Sequence, residues 1–417
     1  MTRKVVVTGM GAVTPVGNDV KSMWSSLSAG KHGIGPITRF NTEGYKASLA
    51  AEVKDFDPLC YMERSEARRM DMYSQYAVAS ASQAVEDSGI LGKVAPERFA
   101  VYFGSGTGGI VTFSEEHRKL QEAGPRRVSP LFIPMMISNI AAGNLAIRYG
   151  ARGQCLCVVT ACATGASAVG EAYRAIRHGY ADAAIAGGSE AAITQISVAG
   201  FCNMTAMSPS RDPDAASLPF DRRRAGFVLG EGAGALILEE YGSAIARGAK
   251  IYAEVAGYGV TCDAHHMTAP DPEARSASRA ITDAFDEAGR PECPIYINAH
   301  GTGTPLNDAS ETLAVKLALG AVAPNAAISS TKSMTGHMLG AAGSVEAIIS
   351  ILAMNDSLLP PTAGLREPDD ACDLDYVPIT ARRADVGLAM SLSMGFGGHN
   401  VCLAFSKAAP YRPHGLR

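Results

Sequence analysis

The chain has 417 residues, of which 47% are apolar and 19% charged, and it carries a formal net charge of −4. That balance excludes a disordered chain and any bulk attraction to nucleic acid, so a basic docking surface has to be local. Nine cysteines, an odd number without framework spacing, point away from a disulfide scaffold and towards a reducing, cytoplasmic setting.

Residues 4–8 read as a buried strand, followed by a glycine-punctuated loop through Gly17. Gly9-Met10-Gly11 invites a dinucleotide reading, but Thr14 stands at the third glycine position and Pro15 where a helix would begin. The apolar run at the N-terminus is too short for a signal-peptide core, and no later run reaches spanning length uninterrupted, so no membrane insertion is expected. Residues 71–87 carry Tyr73, Tyr76, Ala77, Ala81 and Ala84 at helical spacing, after Arg64, Arg68 and Arg69. A strand over 99–103 ends in GSGTGG, which lacks the Lys-Ser/Thr of a phosphate loop; Arg126 and Arg127 follow.

The next stretch organises the chain. An apolar run from Leu156 to Val159 leads into Thr160-Ala161-Cys162, after which Ala168, Val169, Ala172, Ala175 and Ile176 recur at helical spacing. Cys162 thus falls at a strand-to-helix corner, in the first turn of a helix, where unpaired N–H groups and the helix dipole favour a thiolate and lower the thiol pKa. Small residues crowd this corner, which suits a helix buried on most sides. Cys155 and Cys157, two apart in the preceding strand, are expected in the core. A strand over 181–188 and a glycine-studded turn feeding a β-patterned run over 219–240 complete the first half.

The second half weakly repeats the first. The segment from Ile251 echoes the N-terminal strand and loop, the one from Ile328 echoes the Cys162 corner and helix, and the one from Ser391 echoes GEGAGALILEE. A duplicated βαβ pattern with buried strands argues for a layered α/β architecture of two similar halves, with no linker near residue 250 to separate them. If the halves pack about a pseudo-two-fold, the matching helix starts meet at the centre and bring Cys162 and His337 together. His300, in NAHGTGTP after an apolar strand, sits in a second glycine- and threonine-rich turn. One Cys and two His residues suit either a metal or an acyl-accepting thiolate assisted by imidazoles. The absence of C-x-x-C or H-x-x-x-H spacing argues against the metal.

Together, TACATG around Cys162, PFDRRRAGFVLGEGAG, NAHGTGTPLND around His300, STKSMTGHMLGAAGSVE around Lys332 and His337, and GFGGHN around Phe396 resemble the β-ketoacyl-acyl carrier protein synthases over nearly the whole length. The likeness is greatest to the type II, elongating enzymes. It implies a thiolase-like fold, two βαβαβαββ halves (1–250 with the nucleophile, 251–417 with the two histidines) in five α-β-α-β-α layers, as a cytoplasmic homodimer. It also implies a decarboxylating Claisen condensation of an acyl group with malonyl on acyl carrier protein. Substrates ride on phosphopantetheine, and no resident cofactor or metal is expected.

By the same resemblance Cys162 is the nucleophile, and its N–H with that of Phe396 forms an oxyanion hole. His300 and His337 promote decarboxylation, Lys332 orients the site with Glu346, and Asp308 supports it. Thr302, Thr304 and Thr268 meet the pantetheine arm, so the neighbouring His265 and His266 are read as structural. Thr107, Phe132 and Phe201 surround the acyl pocket, and Phe396 gates it between hinge glycines. Arg64, Arg68, Arg69, Arg126 and Arg127 dock the acidic carrier. The chain departs from the family pattern at Thr107, at Thr205, and at Leu392, Met394 and His399 around the GFGG turn.

Overall fold

The structure, a computed structural model, describes residues 2–408. The last nine positions of the expected second half therefore lie outside the described residues. Ten strands join one mixed sheet: β1 Val5–Val13, β2 Phe99–Gly104, β3 Cys155–Leu156, β4 Ala183–Glu190, β5 Gly232–Glu240, β6 Ala253–Cys262, β7 Ile295–Asn298, β8 Ala327–Ser329, β9 Leu388–Gly395 and β10 His399–Ser406. Their order across the sheet is β8-β7-β9-β10-β6-β1-β5-β4-β2-β3. Strands one to five and six to ten have the same internal order, mirrored about the β1–β6 junction, with the same parallel and antiparallel pairings. That junction is thin, with only Val6–Glu254 and Val7–Ala253 in register.

Five helices build the layers: α1 Met72–Ser88, α2 Thr164–Arg177, α3 Arg275–Glu287, α4 Pro305–Leu319 and α5 Ala342–Asp356. Asp71 caps α1 by accepting the Tyr73 N–H, and Gly89 ends it at φ 59°, a left-handed position glycine takes without steric cost. α1 covers the first five strands, α3 and α4 cover the last five, and α2 and α5 pack together between the two sets. The expected α-β-α-β-α layering is what these contacts describe. α5 is apolar nearly all round, the mark of a helix enclosed on every side. The two middle helices cross at small residues: a Cβ on Gly165 would lie 2.8 Å from the Ser344 nitrogen, and one on Gly343 2.6 Å from the Ala166 nitrogen.

Two expectations need correction. β1 does not stop at residue 8 but continues through Gly9 and Gly11, because those glycines admit the backbone of α1; a Cβ there would come within 2.2 and 2.0 Å of the Ala84 and Ser80 carbonyl oxygens. β3 is only two residues long and pairs with β2 alone at the end of the sheet, so Cys155 is exposed and Cys157 half-buried rather than in the core. An edge strand leaves one side open, and its residues stay near water.

Each middle helix begins from a short 3-10 turn, Ala161–Ala163 before α2 and Leu339–Ala341 before α5. The first residue of each turn has positive φ, 50° at Ala161 and 45° at Leu339, an uncommon conformation for a side-chain-bearing residue. The duplication therefore places Gly340, not His337, opposite Cys162, with His337 three residues upstream. The two turns lie at the same place in the molecule.

Candidate active site

Cys162 occupies the middle of its 3-10 turn, one residue before α2's cap, and its side chain is buried. The hairpin between β9 and β10 closes over it. Gly395 sits so close that a Cβ would lie 2.7 Å from the Thr160 oxygen and 3.2 Å from the Cys162 nitrogen. The backbone N–H groups of Phe396 and of Cys162 itself both reach the sulfur. The expectation of a lowered thiol pKa does not hold: burial pushes the Cys162 thiol up to about 12, and the Lys332 charge offsets only part of that.

His300 follows β7 in a turn whose backbone is held by one carboxylate. Glu311 of α4 accepts the His300 N–H at 2.6 Å and the Gly301 N–H at 2.8 Å. His337 is held as a strand residue, donating its N–H to Val228 at 2.7 Å and accepting from Gly230 at 2.9 Å. The two imidazoles meet edge to face with centroids 5.3 Å apart, and Phe227 packs edge to face on His337 at 5.2 Å. Burial, reinforced by the Lys332 charge, holds both histidines well below the usual imidazole range, so both rings are neutral near pH 7. Both Nδ1 atoms are buried without a partner. An unpaired lone pair there is less costly than an orphaned N–H, which places the proton on Nε2.

Lys332 lies behind the histidines, 1% exposed, with its ammonium on Glu346 of α5 at 2.5 Å. Burial raises the Glu346 carboxyl to about 7 even against that cation. Asp308 is fully buried and accepts the N–H groups of Phe220 at 2.8 Å and Gly303 at 3.2 Å, fixing the turn beyond His300.

Cys162, His300 and His337 line one cavity of about 680 Å³. Phe201, Thr268, Thr302, Thr304 and Phe396 line it too, and the Thr302 and Thr304 hydroxyls share a 3.0 Å hydrogen bond. His266 supports the same wall, its Nδ1 accepting the N–H groups of Thr268 and Ala269 at 3.1 Å each. Two of the expected pocket residues are elsewhere in the single chain. Thr107 turns to Glu190, donating its hydroxyl at 2.6 Å, and Phe132 packs on Phe113 at the surface, with ring centroids 6.3 Å apart. Arg64, Arg68, Arg69, Arg126 and Arg127 are all exposed, and among the described residues none has an acidic partner.

Sequence reasoning missed several carboxylates. Glu311 stands three residues after Asp308 on the same helical face, a spacing that could have flagged it. Glu190, fully buried at the end of β4, accepts from Ser105, Gly106, Thr107 and Gly340 and so pins the turn beside Cys162 to the turn after His337. Asp263 holds the β9–β10 hairpin by accepting from Asn400 at 2.7 Å, while its N–H donates to the Gly398 oxygen at 2.8 Å.

Residues 2–244 match the family profile described as beta-ketoacyl synthase, N-terminal domain, and residues 252–366 match beta-ketoacyl synthase, C-terminal domain. The chain belongs to the β-ketoacyl synthase family. Among its relatives, the 3-oxoacyl-[acyl-carrier-protein] synthase 2 of Synechocystis sp. is 51% identical over 97% of this ketosynthase and 98% of the relative. The protein of that name from Staphylococcus aureus is 49% identical over the same shares. Solved structures agree in fold. The ishigamide ketosynthase/chain length factor aligns with a TM-score of 0.91 at 37% identity over 98% of this chain and all of that one. A type II PKS acyl-carrier protein in complex with its ketosynthase bound to the hexaketide aligns with 0.91 at 32% over the same shares, and a beta-ketoacyl synthase from Burkholderia phymatum with 0.90 at 34%.

Proposed function

We propose that this ketosynthase condenses an acyl group with malonyl, both carried as thioesters on acyl carrier protein, in fatty acid elongation. The observation that carries the reading is one cavity lined by a cysteine and two neutral imidazoles, with two backbone N–H groups at the sulfur. The Cys162 sulfur attacks the acyl thioester. Its carbonyl oxygen takes the negative charge between the N–H groups of Cys162 and Phe396, and the carrier thiol leaves with the proton. Malonyl-carrier then enters past Thr268, Thr302 and Thr304. Loss of CO2 leaves an enolate whose oxygen accepts from the Nε2–H groups of His300 and His337; one such preorganised donor is worth roughly 3–4 kcal/mol of transition-state stabilisation. The enolate carbon attacks the acyl-Cys162 carbonyl, the thiolate leaves, and 3-oxoacyl-carrier departs.

Neutral rings suit this chemistry. An imidazolium would acidify the chamber and stabilise the malonyl carboxylate in the ground state, whereas a neutral donor acts on charge that develops only as CO2 leaves. Lys332 is held against Glu346 at the back wall, and Phe396 lines the chamber beside the Cys162 sulfur.

The five unpaired arginines fit an acidic acyl carrier protein, as does a solved relative seen with its carrier. The open edge of β3 with exposed Leu156 and Val159, beside exposed Ile133, fits a second copy of this chain, which sedimentation equilibrium would read as twice the 43.4 kDa chain mass. Among the described residues no helix is long and apolar enough to cross a membrane, in keeping with a cytoplasmic site of action. Condensation of radiolabelled malonyl-carrier tests the assignment directly. Cys162→Ala abolishes product and the acyl mass on the enzyme, and undiminished product would end the assignment. A panel of acyl carriers separates elongation from a specialised polyketide role. An inert partner subunit would gain no acyl mass at all.

A further inference from the structure

His300 and His337 share a wall but not a support. His300 hangs from Glu311, whereas His337 lies in a ladder of three adjacent stretches. Val228 and Gly230 bracket its backbone, and the Leu229 carbonyl on their other side accepts the Ala51 N–H at 2.8 Å. Bridge pairs Leu229–His337 and Ala51–Gly230 mark the register. The spacing is close: a Cβ on Gly336 would lie 2.9 Å from the Ala51 Cβ and 3.0 Å from the Val228 oxygen.

The ladder ends in a buried carboxylate. Glu231 is the next residue after Gly230, and it is 0% exposed. Its Oε1 accepts the Val53 N–H at 2.9 Å and the Tyr76 hydroxyl at 3.3 Å, and it pairs with the Arg39 guanidinium, which also reaches Tyr76. Glu231 thus binds the segment carrying Arg39, Ala51 and Val53 to α1 and to the strand behind His337. Among the described residues Glu231 makes no hydrogen bond or ion pair with Cys162 or His300; its partners are Arg39, Val53 and Tyr76.

We propose that the Arg39–Glu231 pair is a positioning device for His337 alone, setting the ring's place in the wall through the Val228–Gly230 backbone. Loosening it lets that strand shift as a unit, and the ring of His337, whose backbone is hydrogen-bonded to it, shifts most; Cys162 only shares an apolar cluster with Leu229, and His300 is held separately by Glu311. Its kinetic consequence rests on the proposed division of labour, in which His337 acts in malonyl decarboxylation and not in acyl transfer to Cys162.

The test separates the two half-reactions. Acyl-enzyme formation is followed by intact mass with acyl-carrier, and CO2 release by label from malonyl-carrier, in Glu231→Gln and Arg39→Met. The expected result is CO2 release slowed at least tenfold, acylation within twofold of the unsubstituted enzyme, and substantial recovery in Arg39→Lys. Equal slowing of both steps, or unchanged CO2 release in either folded variant, overturns the proposal. Arg39→Met serves if Glu231→Gln does not fold, since the Arg39 side chain is partly exposed. A second readout is independent of turnover. In 15N-histidine-labelled protein, Glu231→Gln moves the His337 ring resonances more than those of His300, which touches that ring at a centroid distance of 5.3 Å, and static His337 resonances overturn the positioning claim. A His337→Ala control with undiminished CO2 release would instead remove the decarboxylation role assigned to His337, leaving the ring spectra to decide the positioning.

Discussion

At the scale of single residues the chamber is governed by burial. The Cys162 thiol, raised to about 12, is protonated at neutral pH, and its thiolate fraction climbs tenfold for each pH unit below that value. Inactivation by a small alkylating agent is therefore expected to quicken about tenfold per unit from pH 7 to 10 with no plateau; a plateau near pH 7 would mean that the helix start outweighs desolvation. The Lys332–Glu346 pair makes a second residue-scale case. Removing one partner of a buried pair typically costs about 3–5 kcal/mol, so Lys332→Met is expected to lose on that order in chemical denaturation. The pH dependence has a definite sign. Glu346 is already raised to about 7 from the ordinary 4.5, and without the ammonium it rises further. A carboxyl raised in the folded state keeps a proton that the unfolded chain releases, so stability falls as pH rises from 4.5 through the folded value. The loss in Lys332→Met is thus larger at pH 8.5 than at pH 6.

Elements decide where those residues can stand. α2 enters the centre because its glycines let neighbours approach, and Gly170 shows the magnitude. A Cβ there would lie 2.2 Å from the ring of Tyr258 on β6. Alanine favours a helix over glycine by up to ~1 kcal/mol, while overpacking a close-fitted core costs about 1–3 kcal/mol. The clash wins, so Gly170→Ala is expected to lower the unfolding free energy by a net ~0–2 kcal/mol, read as a lower denaturation midpoint. An increase would mean that Tyr258 moves freely, against its part-buried hydroxyl bond to Glu171 at 3.1 Å. The same packing logic explains why β1 runs past residue 8: Gly9 and Gly11 read as loop punctuation, but they serve close contact between a strand and α1.

For the whole molecule, charge is distributed against the net sign. The chain is acidic overall, yet among the described residues Arg64, Arg68, Arg69, Arg126 and Arg127 are exposed without acidic partners, while most other arginines are paired, Arg148 with Glu66 among them. Exposed charges contribute up to ~1 kcal/mol each, so reversing Arg126 and Arg127 together is expected to raise the KM for malonyl-carrier about tenfold at low ionic strength. The effect shrinks at 0.5 M salt, where screening acts within a few Å. Turnover of malonyl-pantetheine, which has no protein surface, stays unchanged. An equal loss with the small thioester would place the damage in the chamber instead.

The residues proposed to do chemistry were legible in the chain because they sit in short motifs with their own local geometry: a cysteine at a strand-to-helix corner, histidines in glycine- and threonine-rich turns, a lysine five residues before the second histidine. The duplication was legible as well, since each half must bury the same alternation of strands and helices. Tertiary structure alone decided the supports. Glu190 and Glu231 act through backbone N–H groups from segments far away in the chain, and Glu311 through those of the turn before its own helix; a backbone donor leaves no mark on residue type. It also decided protonation, because desolvation depends on what encloses a side chain and not on its neighbours in sequence. For that reason the cysteine expected to be acidic became, once enclosed, a weaker acid than a free thiol.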